Sequence, residues 1–325
     1  MKEENWVSAY LRARGLAEPY DAVDVRPLEG GVSGEIFDVR VGSQAFVVKR
    51  ARARLDVEQD WFADLGRVVV EAEALEAAHA LTPNAVPRVV DLDQETATMV
   101  IERSDPTWTD WRSSLLAGRA GDHVAARLGE VLGIWHRETA ADPGLLETFA
   151  SQEIFEELRL APFHEAVAAA HPDLGGRVSE AADRLRGERL CLVHGDFSPK
   201  NVLHGKGGIW VLDWEVAHVG APIFDLAFML AHLTLKAVHR PADAPLYEAL
   251  ATTFVERYAR AGGPASVDDP GLQLQIGSLL LARVDGKSPA SYLSPKERDA
   301  VRALAIELIG DRNRSDHLSY LWEVS

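Results

Sequence analysis

One block of 24 residues governs what this chain can fold into. It runs Leu192-Val193-His194-Gly195-Asp196-Phe197-Ser198-Pro199-Lys200-Asn201-Val202-Leu203-His204, then Gly205-Lys206-Gly207-Gly208-Ile209-Trp210-Val211-Leu212-Asp213-Trp214-Glu215. Two short apolar strands flank a four-residue turn, Gly205–Gly208, so the segment reads as a hairpin. Folding it back brings Asn201, entering the first strand, opposite Asp213, leaving the second. Asp196 hangs on the loop just before. Two carboxylates and one amide oxygen thus converge at one end of the hairpin. Hard oxygens of this kind suit Mg²⁺, which keeps waters and phosphate oxygens in most of its shell. No Cys/His set has the spacing of a soft-metal site. A metal clamp, a carboxylate to accept a hydroxyl proton and donors for phosphates are the parts phosphoryl transfer needs. Asn201 and Asp213 offer the clamp, and Asp196 the base.

Composition narrows the setting. Hydrophobic residues make up 47% and charged residues 26% of the 325, which excludes a disordered chain. Thirty-four basic residues face 50 acidic ones, a net charge of −16. That argues against nucleic acid or an anionic membrane as partner and is compatible with a cationic small substrate. No apolar run of ~18 residues exists, so no membrane span is expected. Met1-Lys2-Glu3-Glu4-Asn5-Trp6 is too acidic for a signal peptide. A lone Cys191 excludes a disulfide scaffold and points to the cytoplasm.

The pattern changes along the chain. Residues 1–17 predict a short amphipathic helix ending at Gly15. Strands follow at Asp24–Leu28, Glu35–Val41 and Gln44–Lys49, with a Gly-rich turn at 30–34. A helix is expected over Glu58–Leu81, stopped by Thr82-Pro83. Strands at Arg88–Leu92 and Thr96–Ile101 complete a sheet. Beyond residue 103 the period becomes helical, at 151–170, 175–187, 223–239, 244–261, 271–283 and 295–310, with Val124, Leu128, Val131, Leu132 and Trp135 on one helix face. The expectation is an α+β chain of two lobes. Residues 1–103 form a small antiparallel-sheet lobe and residues 104–325 a larger, mainly helical lobe, with a ligand cleft between them.

His-Gly-Asp, four residues, Asn, and then a strand ending Leu-Asp-Trp-Glu resembles the aminoglycoside phosphotransferase and choline kinase superfamily, small-molecule relatives of the protein kinases. The resemblance covers about residues 28–235. It implies a protein-kinase-like fold and transfer of the γ-phosphoryl group of ATP to a small-molecule hydroxyl, with Asp196 as catalytic base and Asn201 and Asp213 holding Mg²⁺. It also implies that the turn Gly30-Gly31-Val32-Ser33-Gly34 covers the phosphates, where glycine lets backbone N–H groups approach closely. Lys49, on the strand face of Ala45 and Val47, would neutralise the α/β-phosphates. Glu71, preferred to Glu73, would hold Lys49. Ile101, in Met99-Val100-Ile101-Glu102-Arg103, would offer backbone groups to adenine. Asp225 would brace the catalytic loop from behind. Gly195 stands where the protein kinases carry Arg, and Asp225 lies only 12 positions beyond Asp213, so no activation segment is expected. The acceptor could be an aminoglycoside, an aminosugar or a related sugar or amino alcohol, and the enzyme a monomer or homodimer. The competing reading is a nucleotide-binding regulatory module without catalysis.

Several residues stay open at this level. Lys200 faces either the γ-phosphate or solvent, and Ser198 either a ligand or its own loop. His194, at the end of an apolar strand, is expected to be a packed structural histidine, and Trp214 a packing residue. Glu215 is a possible metal or substrate contact. The acids Glu153, Glu156 and Glu157 read as a solvated face. Arg283, Asp285 and Lys287 form a charged knot that either caps a helix or lines the acceptor pocket.

Overall fold

A computed structural model describes residues 2–28, 34–51, 65–121 and 123–310. The chain divides into two compact units, Met1–Pro106 and Thr107–Ser325.

The first unit holds α1 (Lys2–Ala13), β1 (Val23–Pro27), β2 (Gly34–Val41), β3 (Gln44–Ala51), α2 (Arg67–Leu81), β4 (Val89–Asp93) and β5 (Thr98–Glu102). Its five strands form one antiparallel sheet in the order β1-β2-β3-β5-β4. Side chains alternate across a strand, so Phe37, Val39, Val41, Phe46, Val48 and Val100 share one face. That face is buried against Val7 and Leu11 of α1. The helix ends at Ala13, just before the expected stop at Gly15, for a local reason. Gly15 takes φ +72°, the Leu16 N–H returns to the Leu11 carbonyl at 2.8 Å, and the Gly15 N–H returns to Arg12 at 3.1 Å. This pair of bonds closes a helix through a left-handed glycine.

The opposite sheet face carries Val47 and Lys49. There the Lys49 ammonium meets the Glu71 carboxylate of α2, at 2.6 Å and 2.7 Å to its two oxygens. The helix expected from Glu58 starts at Arg67, after a turn at Leu65-Gly66; residues 58–64 lie outside the described residues. Gly66 takes the N-cap position, which glycine tolerates well.

The second unit starts with β6 (Thr109–Asp110), α3 (Trp111–Leu116), α4 (Val124–Ala140), α5 (Pro143–Thr148) and α6 (Glu153–Phe155). The chain then winds in wide π turns over Glu156–Glu165, around Pro162, before α7 (Ala166–Ala170) and α8 (Pro172–Gly187). Next come β7 (Cys191–Val193), β8 (Val202–Gly205), β9 (Gly208–Val211) and β10 (His218–Gly220). The unit closes with α9 (Ile223–His239), α10 (Ala244–Arg260), α11 (Pro270–Asp285) and α12 (Pro295–Gly310). β7 pairs with β10, and β8 lies between β6 and β9. The hairpin turn is tighter than expected: Gly205 pairs with Gly208, leaving only Lys206 and Gly207 in the loop.

Val124, Leu128, Val131, Leu132 and Trp135 are all buried on α4, as their spacing predicts. The backbone of α10 comes unusually close to that helix. A methyl group on Gly129 would sit 2.1 Å from the Phe254 carbonyl, and one on Gly133 would sit 2.6 Å from the Tyr258 carbonyl. Gly129→Ala must therefore push the helices apart, at a cost of about 1–3 kcal/mol. The expected result is a melting temperature lower by roughly 3–10 °C in a thermal scan. An unchanged value would mean that this contact does not limit the packing.

Candidate active site

A buried carboxylate fixes the loop that carries the candidate base. Asp225, in the first turn of α9, accepts the backbone N–H groups of His194 at 2.8 Å and Gly195 at 3.0 Å. It also bonds His136 Nε2 at 3.2 Å, whose Nδ1 bonds the Tyr258 hydroxyl at 3.0 Å. Burial alone would raise the Asp225 carboxyl, but His136, His194 and the loop amides hold it below its ordinary value. Gly195 takes φ +77°, and a Cβ there would meet the Val216 carbonyl at 2.7 Å. No larger residue fits this turn, an arginine included. His194 accepts the Asp196 N–H on Nδ1 at 3.1 Å and donates from Nε2 to the Leu212 carbonyl at 3.1 Å. Burial pushes its pKa down. It is thus a neutral strut between the loop and the end of β9.

The two oxygens of Asp196 are treated differently. Oδ2 receives Lys200 Nζ at 2.7 Å, Asn201 Nδ2 at 2.9 Å and Arg159 Nη2 at 3.0 Å. Oδ1 takes no hydrogen bond among the described residues. Burial would raise this carboxyl, but the Arg159 guanidinium and the Lys200 ammonium overrule it and hold it well below the usual carboxylate range. Arg159 is anchored in turn by its Nε on the Gly195 carbonyl at 2.7 Å. It arrives from the π-wound segment, 37 residues upstream, and no motif in the sequence marks it. Lys200 lies on Asp196 rather than free in solvent. Ser198 Oγ is buried with no partner.

Asn201 commits its amide N–H groups to the Asp196 carbonyl and carboxylate, at 3.0 Å and 2.9 Å, which leaves its Oδ1 open as an acceptor. The Asn201 carbonyl also receives the Leu212 N–H at 2.8 Å, tying it to the residue before Asp213. Asp213 is half-buried and holds φ +68°, a left-handed conformation that aspartate tolerates better than most residues. An amide oxygen and a half-buried carboxylate fit a hard divalent cation that takes few protein ligands. No cluster of three or more His, Cys, Asp or Glu groups suited to a metal exists among the described residues.

In the first unit the structure pairs Lys49 with Glu71 and leaves Glu73 exposed. Gly30, Gly31 and Ser33 lie outside the described residues, while Gly34 opens β2. A Cβ on Gly34 would meet the Arg50 carbonyl at 2.3 Å, so close strand approach accounts for that glycine. Ile101 lies in β5, where the strand expected over Thr96–Ile101 puts it. It has β3 on one side (Val47) and β4 on the other (Val89), an interior position of the sheet. The backbone leaves the sheet beyond Arg103, whose N–H still reaches the Ala45 carbonyl at 3.3 Å. Trp214 is buried and edge-on to Trp135 at 4.9 Å, as packing requires. Glu156 is ion-paired with Arg186, and Asp285 with Arg302 and His171.

An antiparallel sheet unit, a helical unit and an Asp-Asn-Asp loop of this order define a kinase-like small-molecule phosphotransferase. The chain belongs to the phosphotransferase enzyme family, whose family model matches residues 24–273. Methylthioribose kinase of Bacillus velezensis is 26% identical over 293 residues, covering 79% of this chain and 74% of that one. The solved structure of a putative aminoglycoside phosphotransferase from Ralstonia eutropha superposes with a TM-score of 0.59 at 15% identity, over 96% of this chain and 98% of that one. An amicoumacin kinase, solved with AMP-PNP, Ca²⁺ and its ligand, gives 0.54 at 15% identity, over 97% and 98%. No helix among the described residues is long and apolar enough to cross a membrane.

The charge around Asp196 has a pH consequence. A carboxyl whose pKa is depressed in the fold adds stability above its ordinary range, near pH 4, and loses it as pH falls through the folded value. Wild-type turnover should therefore show no Asp196 inflection between pH 5 and 8. Arg159→Met leaves burial opposed mainly by Lys200, so the carboxyl should titrate higher and the acid limb of the profile should move up in pH from the wild type. A flat profile of kcat/KM for the variant would disprove this role of the guanidinium.

Proposed function

We propose that Asp196 receives the acceptor hydroxyl, that Asn201 and Asp213 hold Mg²⁺, and that Lys49, steadied by Glu71, neutralises the α/β-phosphates of ATP. The Gly30–Gly34 turn covers those phosphates. The observation that carries the reading is the asymmetry of Asp196, with Oδ2 taken by three donors and Oδ1 left open. A carboxylate held this way is fixed in direction and kept ionised. It accepts a hydrogen bond from a hydroxyl without turning away.

The reaction follows from these roles. The acceptor oxygen forms a bond to the γ-phosphorus, the bond from that phosphorus to the β,γ-bridging oxygen breaks, and ADP leaves. The hydroxyl proton passes to Asp196 Oδ1. A strongly depressed pKa makes Asp196 a weak base, so the proton moves late, when the new bond has already acidified the hydroxyl. That suits the loose transition state common in phosphoryl transfer. When bound, the divalent cation neutralises charge on the transferring group. Adenine is served by backbone past Arg103 rather than by Ile101. The acceptor is a polyhydroxylated, sugar-sized molecule, a reading supported by the likeness to methylthioribose kinase. The cytoplasm is the setting we infer, since the lone Cys191 is buried and unpaired.

Asp196→Asn should lower kcat by about 10²–10⁴-fold while Mg-ATP still raises the melting temperature. Nucleotide consumption with methylthioribose, aminoglycosides, aminosugars, choline and homoserine reads this out. Lys49→Met should mainly raise the KM for ATP. Undiminished turnover in Asp196→Asn would remove the base assignment, and no acceptor-dependent turnover in wild type would favour a binding module.

A further inference from the structure

Helix α9 carries one stripe that begins at the loop brace and continues past it. Asp225, Phe228, His232 and Lys236 follow at three- and four-residue steps, so they lie on one face. Arg159 connects that stripe to the base. Its guanidinium lies 5.9 Å from the Phe228 ring centroid while Nη2 holds Asp196 at 3.0 Å. Phe228 packs on His232 at 5.1 Å. Lys236 follows, with its ammonium 5.9 Å from the Tyr292 ring centroid and on the His232 carbonyl at 3.1 Å. Arg283, near the end of α11, joins the same neighbourhood and feels the charges of Asp196, Arg159 and Arg112.

This cluster has basic groups without acidic partners. Lys236 is completely buried, and no carboxylate among the described residues lies within ion-pairing distance of it or of Arg283. Arg283 spends one nitrogen on Ser288 Oγ at 2.9 Å, while its Nε is sealed from solvent and unpartnered. The Tyr292 hydroxyl is likewise buried and unpartnered. The nearby acids are committed elsewhere: Asp196 to Arg159 and Lys200, Asp110 to the Ser113 N–H at 2.8 Å, and Asp285 to Arg302 and His171. Burial, with Arg283 and Arg112 adding to it, pushes Lys236 down to about 7. Burying cations and leaving donors unpaired costs stability unless a counter-charge arrives. In a chain of net charge −16, a local surplus of this sign is a property of the place and not of the composition.

We propose that the acceptor is an organic anion, which presents its hydroxyl to Asp196 and lays its carboxylate or phosphate against the Arg283 guanidinium. The proposal rests on Asp196 as the hydroxyl-binding carboxylate. Arg283 keeps part of its surface and makes the contact. Lys236, closed in beside the Tyr292 ring, contributes its charge from behind. The acceptor is thereby of opposite sign to the cationic substrate that the overall charge of the chain suggests.

The test uses the full chain with Mg-ATP and four probes: D-gluconate, glucose 6-phosphate, methylthioribose and kanamycin. Binding is read by calorimetry on protein loaded with Mg–AMP-PNP, and turnover by nucleotide consumption. Gluconate or glucose 6-phosphate should bind, and whichever binds tells carboxylate from phosphate. Arg283→Gln should weaken that binding by about 10–100-fold, the worth of a hydrogen bond to a charged group. Lys236→Met should weaken it a few-fold and leave the melting temperature equal or higher, since a buried unpaired cation is replaced by an apolar side chain of similar size. A lower melting temperature would make Lys236 structural and count against the proposal. Failure of both anions to bind, equal binding by Arg283→Gln, or preferred turnover of kanamycin or methylthioribose would overturn it. Loss of the Mg-ATP effect on melting, or full turnover in Asp196→Asn, would instead strike the phosphotransfer assignment on which it rests.

Discussion

The helical unit depends on one buried carboxylate. Asp225 has no lysine or arginine beside it among its hydrogen-bond partners. Backbone amides and one histidine satisfy it instead. Such a group is tolerable in a dry interior only when its lone pairs are filled. Filling them pins His194 and Gly195 in place, and with them the start of the loop that ends at Asn201. The His136–Tyr258 pair behind Asp225 extends the constraint to α4 and α10, the two helices that meet through Gly129 and Gly133. Backbone position at Asp196 is thus set by packing two helices away.

Charge is arranged in layers around that loop. Arg159 and Lys200 spend themselves on Asp196, which fixes its direction and its ionisation but leaves it a poor base. A weak base is adequate where the protein chiefly positions reactants and neutralises charge. Lys236, further along α9 from Asp225, and Arg283, on α11, lack such a partner among the described residues. The contrast is between cations satisfied within the fold and cations that are not.

Much of this was legible in the chain. The sheet hairpin showed because alternation in Phe37, Val39, Val41, Phe46 and Val48 is the direct imprint of a half-buried strand. Helices 223–239 and 295–310 showed because long periodic runs are bounded by proline. The hairpin of Asn201 and Asp213 showed because its pairing is local. What did not show is long-range or conformational. Arg159 reaches Asp196 through a π-wound turn that no apolar period encodes. The start of α2 at Arg67 hangs on Gly66 rather than on the periodicity. The strand Thr96–Ile101 was legible, but not that β3 and β4 flank Ile101 on either side, since strand order is a long-range property. The cationic stripe was hidden as well, since His232 and Lys236 fall within an almost wholly buried helix where the apolar signal drowns them.

The unequal oxygens of Asp196 bear on which hydroxyl of a polyol can react. With Oδ2 locked by three donors, only Oδ1 is offered, so the reacting O–H must point at that one atom. A molecule with several chemically similar hydroxyls is then sorted by where its far end is held, not by the intrinsic reactivity of each group. Regioselectivity in such a site is a matter of distance between the anchor and one carboxylate oxygen. Lengthening or shortening the molecule by a carbon would change which position is phosphorylated, without any change in the groups that carry out the transfer.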